Sequence, residues 1–298
     1  MKTVPAWGRL LTAMITPFDD EMAVNHAAAA QLARHLADTG SDGIVVGGTT
    51  GESPSLSADE KAALLETVLA AVGDRVTVIA GTGTNSTTES IHLTRRAERA
   101  GAQGIMLVTP YYNKPPQAGL VAHFQTIAAE TSLPVMLYNV PGRTSVNLLP
   151  PAVEQLAAVP NIVALKDAAG SLDQTTEALR RVPEGFLVYS GDDSLTLPML
   201  SVGAYGIVSV ASHVAGKRLA AMIRHYVAGD VVGAAKLHRE LFPLFKGLFA
   251  TTSPIPVKAA VNLLGIPAGK PRLPLCELTA QELAQLTRLL QETGCLPA

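Results

Sequence analysis

Short apolar runs recur along this chain at fairly regular intervals. Each is followed by a segment whose apolar positions return every three or four residues. The runs are Leu11–Ile15, Gly43–Gly47, Val76–Ala80, Gly104–Val108, Val135–Tyr138, Ile162–Lys166, Phe186–Ser190 and Ile207–Val210. Most are continuous rather than alternating in polarity, the pattern of parallel strands covered on both faces. The helical segments between them carry start signals. Ser57 with Glu60 and Ser86 with Glu89 each predict a capping box, while Gly40, Gly73, Gly101 and Pro160 close units. Eight such β–α units without a strong linker predict a (β/α)8 barrel over residues 1–230, with a doubly wound open sheet as the second choice. Residues 231–298 show no strand pattern. Val231–Thr251, Pro254–Leu264 and Thr279–Thr293 read as helices, the last opened by a Thr279/Glu282 capping box, and predict a C-terminal helical cap or assembly surface.

Composition narrows the class. A hydrophobic content of 48% against 16% charged residues supports a large buried core over the 298 residues. Net charge is -2 with no Lys/Arg block, which argues against nucleic acid as a partner. Ser194–Gly216 lacks Asp, Glu, Lys and Arg, but Pro198, Gly203 and Gly206 interrupt it. It reads as a short helix, a turn and a buried strand rather than a membrane span. No signal-peptide pattern opens the chain, and Cys276 and Cys295 form neither a CxxC nor a metal spacing. Together these predict a reducing, cytoplasmic setting without a membrane partner.

The candidate chemistry centres on Lys166, at the end of the run Ile162–Lys166. Burial disfavours an ammonium, and a neutral lysine amine attacks carbonyls. The bland alternative is a lysine leaving the barrel to pair with Asp167 or Asp192. In a barrel, strand C-terminal ends share one mouth, so other strand-end groups can meet Lys166 there. Gly47-Gly48-Thr49-Thr50-Gly51-Glu52-Ser53 offers backbone N–H groups and hydroxyls for a carboxylate, or is simply a glycine turn. Tyr138 can serve as an acid/base or as a core tyrosine. Arg143 can clamp a carboxylate or stand solvated in its loop. Tyr111-Tyr112 is an adjacent aromatic pair in a chain with only 4% aromatics, which mildly favours a role beyond loop packing. Asp192-Asp193 lacks accompanying metal-ligand spacing and reads as a turn and helix cap, and Gly81-Thr82-Gly83-Thr84 reads as a turn. Lys258 falls in a helical pattern, Lys114 in a Pro-rich loop, and Lys217 beside Arg218, so none rivals Lys166.

These residues resemble the dihydrodipicolinate synthase family, within the pyruvate-dependent class I aldolases and lyases that include N-acetylneuraminate lyase. The likeness runs from Leu11-Thr12-Ala13-Met14-Ile15-Thr16-Pro17-Phe18 through Pro254–Leu264. Gly48-Thr49-Thr50-Gly51-Glu52 and the strand-end lysine carry the superfamily pattern. Tyr138-Asn139-Val140-Pro141-Gly142-Arg143-Thr144 carries the synthase pattern, chiefly through Arg143. The resemblance implies a lyase of lysine and diaminopimelate biosynthesis that condenses pyruvate with L-aspartate 4-semialdehyde. It implies Lys166 as the Schiff-base residue and Tyr138 as proton donor/acceptor. Thr49 and Tyr112 complete the relay, Tyr112 reaching in from a neighbouring subunit. It further implies Thr50 and Val208 against pyruvate, Gly191 as a backbone position lining the site, and Arg143 on the aldehyde's carboxylate. A homotetramer built as a dimer of dimers, with no metal or organic cofactor, is also implied. The alternative is a related aldolase or lyase acting on a sugar acid or N-acetylneuraminate. Arg143 speaks against it, since a sugar needs hydroxyl partners there.

The same resemblance bears on regulation. Ser53, Asn85, Glu89 and Tyr111 match an inter-subunit site for inhibitory lysine. Ala58 and Lys61, however, stand where sensitive relatives often carry His or another aromatic or acidic group. A second cation beside the ligand's ammonium repels it, so feedback inhibition is expected to be weak or absent.

Overall fold

Residues 5–297 are described by a computed structural model of the chain. Met1–Val4 and Ala298, at the outer ends of the two predicted regions, lie outside the described residues. Eight parallel strands close into a barrel in sequence order, β1 pairing with both β2 and β8. They are β1 (Leu10–Ala13), β2 (Gly43–Val46), β3 (Thr77–Gly81), β4 (Gly104–Val108), β5 (Val135–Asn139), β6 (Ile162–Asp167), β7 (Leu187–Ser190) and β8 (Gly206–Ser209). The predicted barrel is therefore observed and the open sheet is excluded. Predicted and observed strand boundaries differ by one or two residues at most ends. The apolar run continues past the assigned strand end, as Met14-Ile15 does beyond β1, where the Met14 N–H still donates to the Val45 carbonyl at 3.0 Å.

Continuous apolar strands have two faces to bury, and two cores result. Leu11, Val45, Ile79, Met136, Tyr189 and Val208 fill the barrel interior. Trp7, 2% exposed, precedes β1 and joins the interior cluster from the N-terminal end. A second core, including Ile44, Val78, Leu137 and Ile207, lies between strands and helices. Leu241, Leu244, Phe245, Val257 and Leu286 belong to this same core, so the C-terminal helices pack as part of it.

The charge-free stretch, entered from a 3-10 turn (Asp193–Leu195), forms a short helix (Thr196–Ser201) and β8, and no described helix is long and apolar enough to cross a membrane. Full capping boxes open the helices Ala58–Val72 and Ala280–Glu292. The box predicted at Ser86 is only half built. Its hydroxyl accepts from the Glu89 N–H at 3.3 Å, but the Ser86 N–H donates to Thr84 Oγ1 at 3.0 Å. The Glu89 carboxylate instead interacts electrostatically with Lys61.

Candidate active site

Strand register sets the centre of the site. Tyr138 on β5 pairs with Lys166 on β6, and Lys166 with Tyr189 on β7. Alternate strand residues face opposite ways, so Lys166 points into the barrel and Asp167 out of it. Asp167 accepts from Thr175 Oγ1 at 2.8 Å and from the Ala169 N–H at 3.0 Å. Asp192 is also occupied, accepting from the N–H and hydroxyl of Ser194 as cap of the 3-10 turn. Neither acid is the partner of Lys166. The cap predicted for Asp192 is present.

Lys166 is 4% exposed, and its Nζ stands 4.0 Å from the centre of the Tyr138 ring. Burial pulls its pKa down from 10.5 to about 7; the Asp193 carboxylate pulls the other way and the Arg143 charge adds to the fall. The amine is thus substantially neutral near pH 7, the form that adds to a ketone. Burial raises the pKa of Tyr138, while the Arg143 charge and a hydrogen bond with Thr49 work against that rise. A protonated phenol is therefore kept beside the amine, ready to donate.

Asp193 is the main site residue that sequence reading missed. It is buried, not a surface turn residue. Its carboxylate accepts from Ser209 Oγ and from the N–H groups of Val210 and Ala211, both at 3.1 Å. Burial pushes its pKa up to about 6 against these bonds. The available signal was an acid directly before the charge-free segment Ser194–Gly216, where an acid is costly unless something requires it. Gly191 lies two residues before it. A Cβ there would stand 2.8 Å from Ala168 Cβ and 3.2 Å from Lys166 Cε, so the position keeps room for the lysine.

A cleft of about 250 Å³ opens at the strand ends. Gly47, Gly48, Thr49, Ser53, Tyr111, Tyr138, Arg143 and Thr144 contribute to its lining. Lys166 adjoins it through the ring of Tyr138, and Thr50 is buried in the same loop as Thr49. Gly81 and Gly83, in the segment read as a turn, also line the cleft. A Cβ at Gly81 would come within 2.6 Å of the Gly47 carbonyl oxygen, so glycine permits the close approach of the two loops. Arg143 turns on the short helix Pro141–Thr144 and donates to the Ser253 carbonyl at 3.0 Å, leaving guanidinium capacity facing the cleft. That suits a carboxylate-bearing ligand. Val208 sits in the interior core with Tyr138 and Tyr189. Among the described residues, no group of three His, Cys, Asp or Glu is placed to hold a metal ion.

The single chain does not bring Tyr112 to the site. It is 89% exposed with a left-handed φ of 75°, while its neighbour Tyr111 lines the cleft. Of the other residues matched to a regulatory site, Ser53 is at the cleft, and Asn85 accepts through its carbonyl from Asn113 Nδ2 at 2.8 Å. Lys61 is half-buried; burial lowers its pKa while the nearby Glu89 charge opposes the fall.

A closed parallel barrel with a buried lysine near the end of its sixth strand, its pKa lowered beside a phenol, has the architecture of a barrel enzyme equipped for Schiff-base chemistry. The family model described as the Dihydrodipicolinate synthetase family matches residues 6–293, and the chain belongs to that family. A 4-hydroxy-tetrahydrodipicolinate synthase from Moorella thermoacetica is 57% identical over 290 residues, spanning 97% of this chain and 99% of that protein. Among solved structures, a dihydrodipicolinate synthase from Cyanidioschyzon merolae with lysine bound aligns with a TM-score of 0.96 at 46% identity, covering 97% of this chain and 99% of that one. One from Bacillus anthracis aligns with a TM-score of 0.95 at 47% identity over the full length of both chains.

Proposed function

We propose that this chain is a lyase that condenses pyruvate with L-aspartate 4-semialdehyde to give 4-hydroxy-tetrahydrodipicolinate, in lysine and diaminopimelate biosynthesis. The observation that carries the reading is Lys166, buried at the strand end, held near pKa 7 and stacked against Tyr138. Relatives of matching length that carry this activity in their names support the choice of reaction over a sugar-acid aldolase.

Neutral Lys166 adds to the ketone carbon of pyruvate, and loss of water leaves a protonated imine. The imine withdraws electrons, so the methyl group gives up a proton and becomes an enamine. The enamine carbon forms a bond to the aldehyde carbon while the aldehyde oxygen takes a proton from Tyr138. The amino group of the second substrate then attacks the imine carbon, closes the ring and releases the Lys166 amine. The protonated imine is itself the electron sink, so the proposed sequence needs no metal or organic cofactor.

Roles follow from position. Thr49, hydrogen-bonded with Tyr138, passes protons to and from it. Thr50 and Val208 contact pyruvate, Gly191 leaves room at the lysine, and Arg143 takes the carboxylate of the aldehyde substrate. Tyr112, fully displayed on its loop, joins Thr49 and Tyr138 across an interface in a homotetramer built as a dimer of dimers. Ser53, Asn85, Glu89 and Tyr111 form the counterpart of a lysine site in which the Glu89 charge already acts on Lys61. The two cysteines are free thiols, which supports a cytoplasmic location. The test is turnover of purified protein with pyruvate plus L-aspartate 4-semialdehyde, coupled to the next reductase. Robust turnover is expected. Folded protein without turnover, but with a trapped pyruvate adduct, would move the reading to another aldehyde partner.

A further inference from the structure

Glu52 closes the site loop in a backbone conformation that side-chain-bearing residues avoid, with φ of 55°. Such a residue persists only where its surroundings over-determine it, and such residues cluster at functional sites. Its carboxylate supplies the surroundings. One oxygen accepts from Lys258 Nζ at 2.5 Å and the other from the Arg272 N–H at 2.9 Å. Lys258 also donates to the Lys270 carbonyl at 3.1 Å and stands 4.1 Å from the centre of the Phe18 ring. The side chains of Lys258 and Glu52 are 1% and 2% exposed.

A buried ion pair is weak evidence for stability, because removing both charges from water offsets their attraction; holding one particular geometry is the alternative. The local hydrogen bonds identify that geometry. The Glu52 N–H donates to the Thr49 carbonyl at 3.0 Å, and Thr16 Oγ1 donates to the Gly51 carbonyl at 2.7 Å. Anchoring Glu52 therefore anchors the turn that carries Thr49 and Thr50.

We propose that the Glu52–Lys258 ion pair is a positioning element for the reaction, through which helix Ile255–Leu263 fixes the Thr49-Thr50 turn against Tyr138 and the keto-acid. The proposal rests on the function given above and deepens it. Lys258 touches no reacting atom; it acts through Glu52. Displacement of a catalytic turn by about 1 Å costs on the order of 100-fold in rate.

The test compares Glu52→Gln with the double variant Glu52→Gln/Lys258→Met, which removes both charges and strands neither in the core. Both are expected to fold, with kcat lowered about 100-fold. The KM for pyruvate is expected to rise, because Thr50 shares the loosened turn. The KM for the aldehyde should stay near wild type, because Arg143 belongs to a different loop. Lys258→Arg, which keeps the charge, should recover part of the loss. A folded double variant with wild-type kcat and pyruvate KM would overturn the proposal. A double variant that does not fold would also overturn it, by making the pair a requirement of folding. Wild-type protein inactive on both substrates would instead count against the assigned reaction. The rate of borohydride-trapped pyruvate adduct in wild type and double variant then decides the proposal, an equal rate overturning it.

Discussion

Replacing Asp193 with Asn should move the pH at which Lys166 becomes reactive downward. An amine titrating at 10.5 is neutral in roughly three molecules in ten thousand at pH 7, whereas one titrating at about 7 is neutral in about half. The fall corresponds to a bias of about 5 kcal/mol toward the neutral amine, arising chiefly from burial. The Asp193 carboxylate opposes that bias, since a nearby anion favours the ammonium. Asp193 itself titrates at about 6, so its charge acts on the lysine above that pH. The sign follows. In wild type, the rate of imine formation rises with pH and levels off above about 7. In Asp193→Asn the midpoint falls below 7, and the imine, a cation, is less stable for want of the anion. The fold should survive, because an Asn oxygen can accept from Val210 and Ala211 N–H while its amide donates to Ser209 Oγ. The assay is rapid mixing with pyruvate alone, followed by borohydride quench, from about pH 5.5 to 9. A wild-type midpoint near that of a free lysine would refute the burial argument. A midpoint that Asp193→Asn leaves unmoved, or raises, would refute the assigned direction of the Asp193 field.

Three further outcomes are expected. Gly191→Ala places a methyl 2.8 Å from Ala168 Cβ and 3.2 Å from Lys166 Cε, so it should lower kcat/KM at least about tenfold and lower Tm as well; unchanged kinetics would mean the lysine has room to spare. Arg143→Ala removes a charge-assisted contact of about 1.5–3 kcal/mol, so aldehyde kcat/KM should fall roughly 10- to 150-fold, while pyruvate adduct formation, compared at about pH 9 where the lost Arg143 charge no longer limits the neutral Lys166 amine, is largely kept; an equal loss in both would assign Arg143 to pyruvate. Lysine at low millimolar concentration should leave turnover nearly unchanged, because Lys61 already interacts with the Glu89 charge and repels a second ammonium; clear inhibition would contradict this.

The fold was legible because burial on both strand faces writes itself as continuous apolar runs, and eight such runs alternating with helical patterns leave few topologies. Lys166 and Tyr138 were legible because each ends such a run. Asp193 was not, since a polar side chain that is buried after a turn looks, in sequence, like one exposed in it. Lys258 was set aside for lying in a helical pattern, yet Ile255, Val257 and Val261 around it are buried. A lysine on that apolar face required an acid, and Glu52 is more than two hundred residues earlier in the chain. Contacts of that range depend on barrel closure and C-terminal packing, which no local pattern encodes. Tyr112 marks another boundary: the role proposed for it requires a second subunit, and one chain leaves it exposed.

The central claim is that Lys166 forms the covalent bond to pyruvate. Borohydride reduction in the presence of pyruvate, followed by peptide mass mapping, tests it directly. A pyruvate-dependent, stoichiometric adduct on Lys166, absent from Lys166→Ala, is the predicted result. An adduct on another lysine such as Lys258, or none in folded protein that still turns over both substrates, would contradict the account.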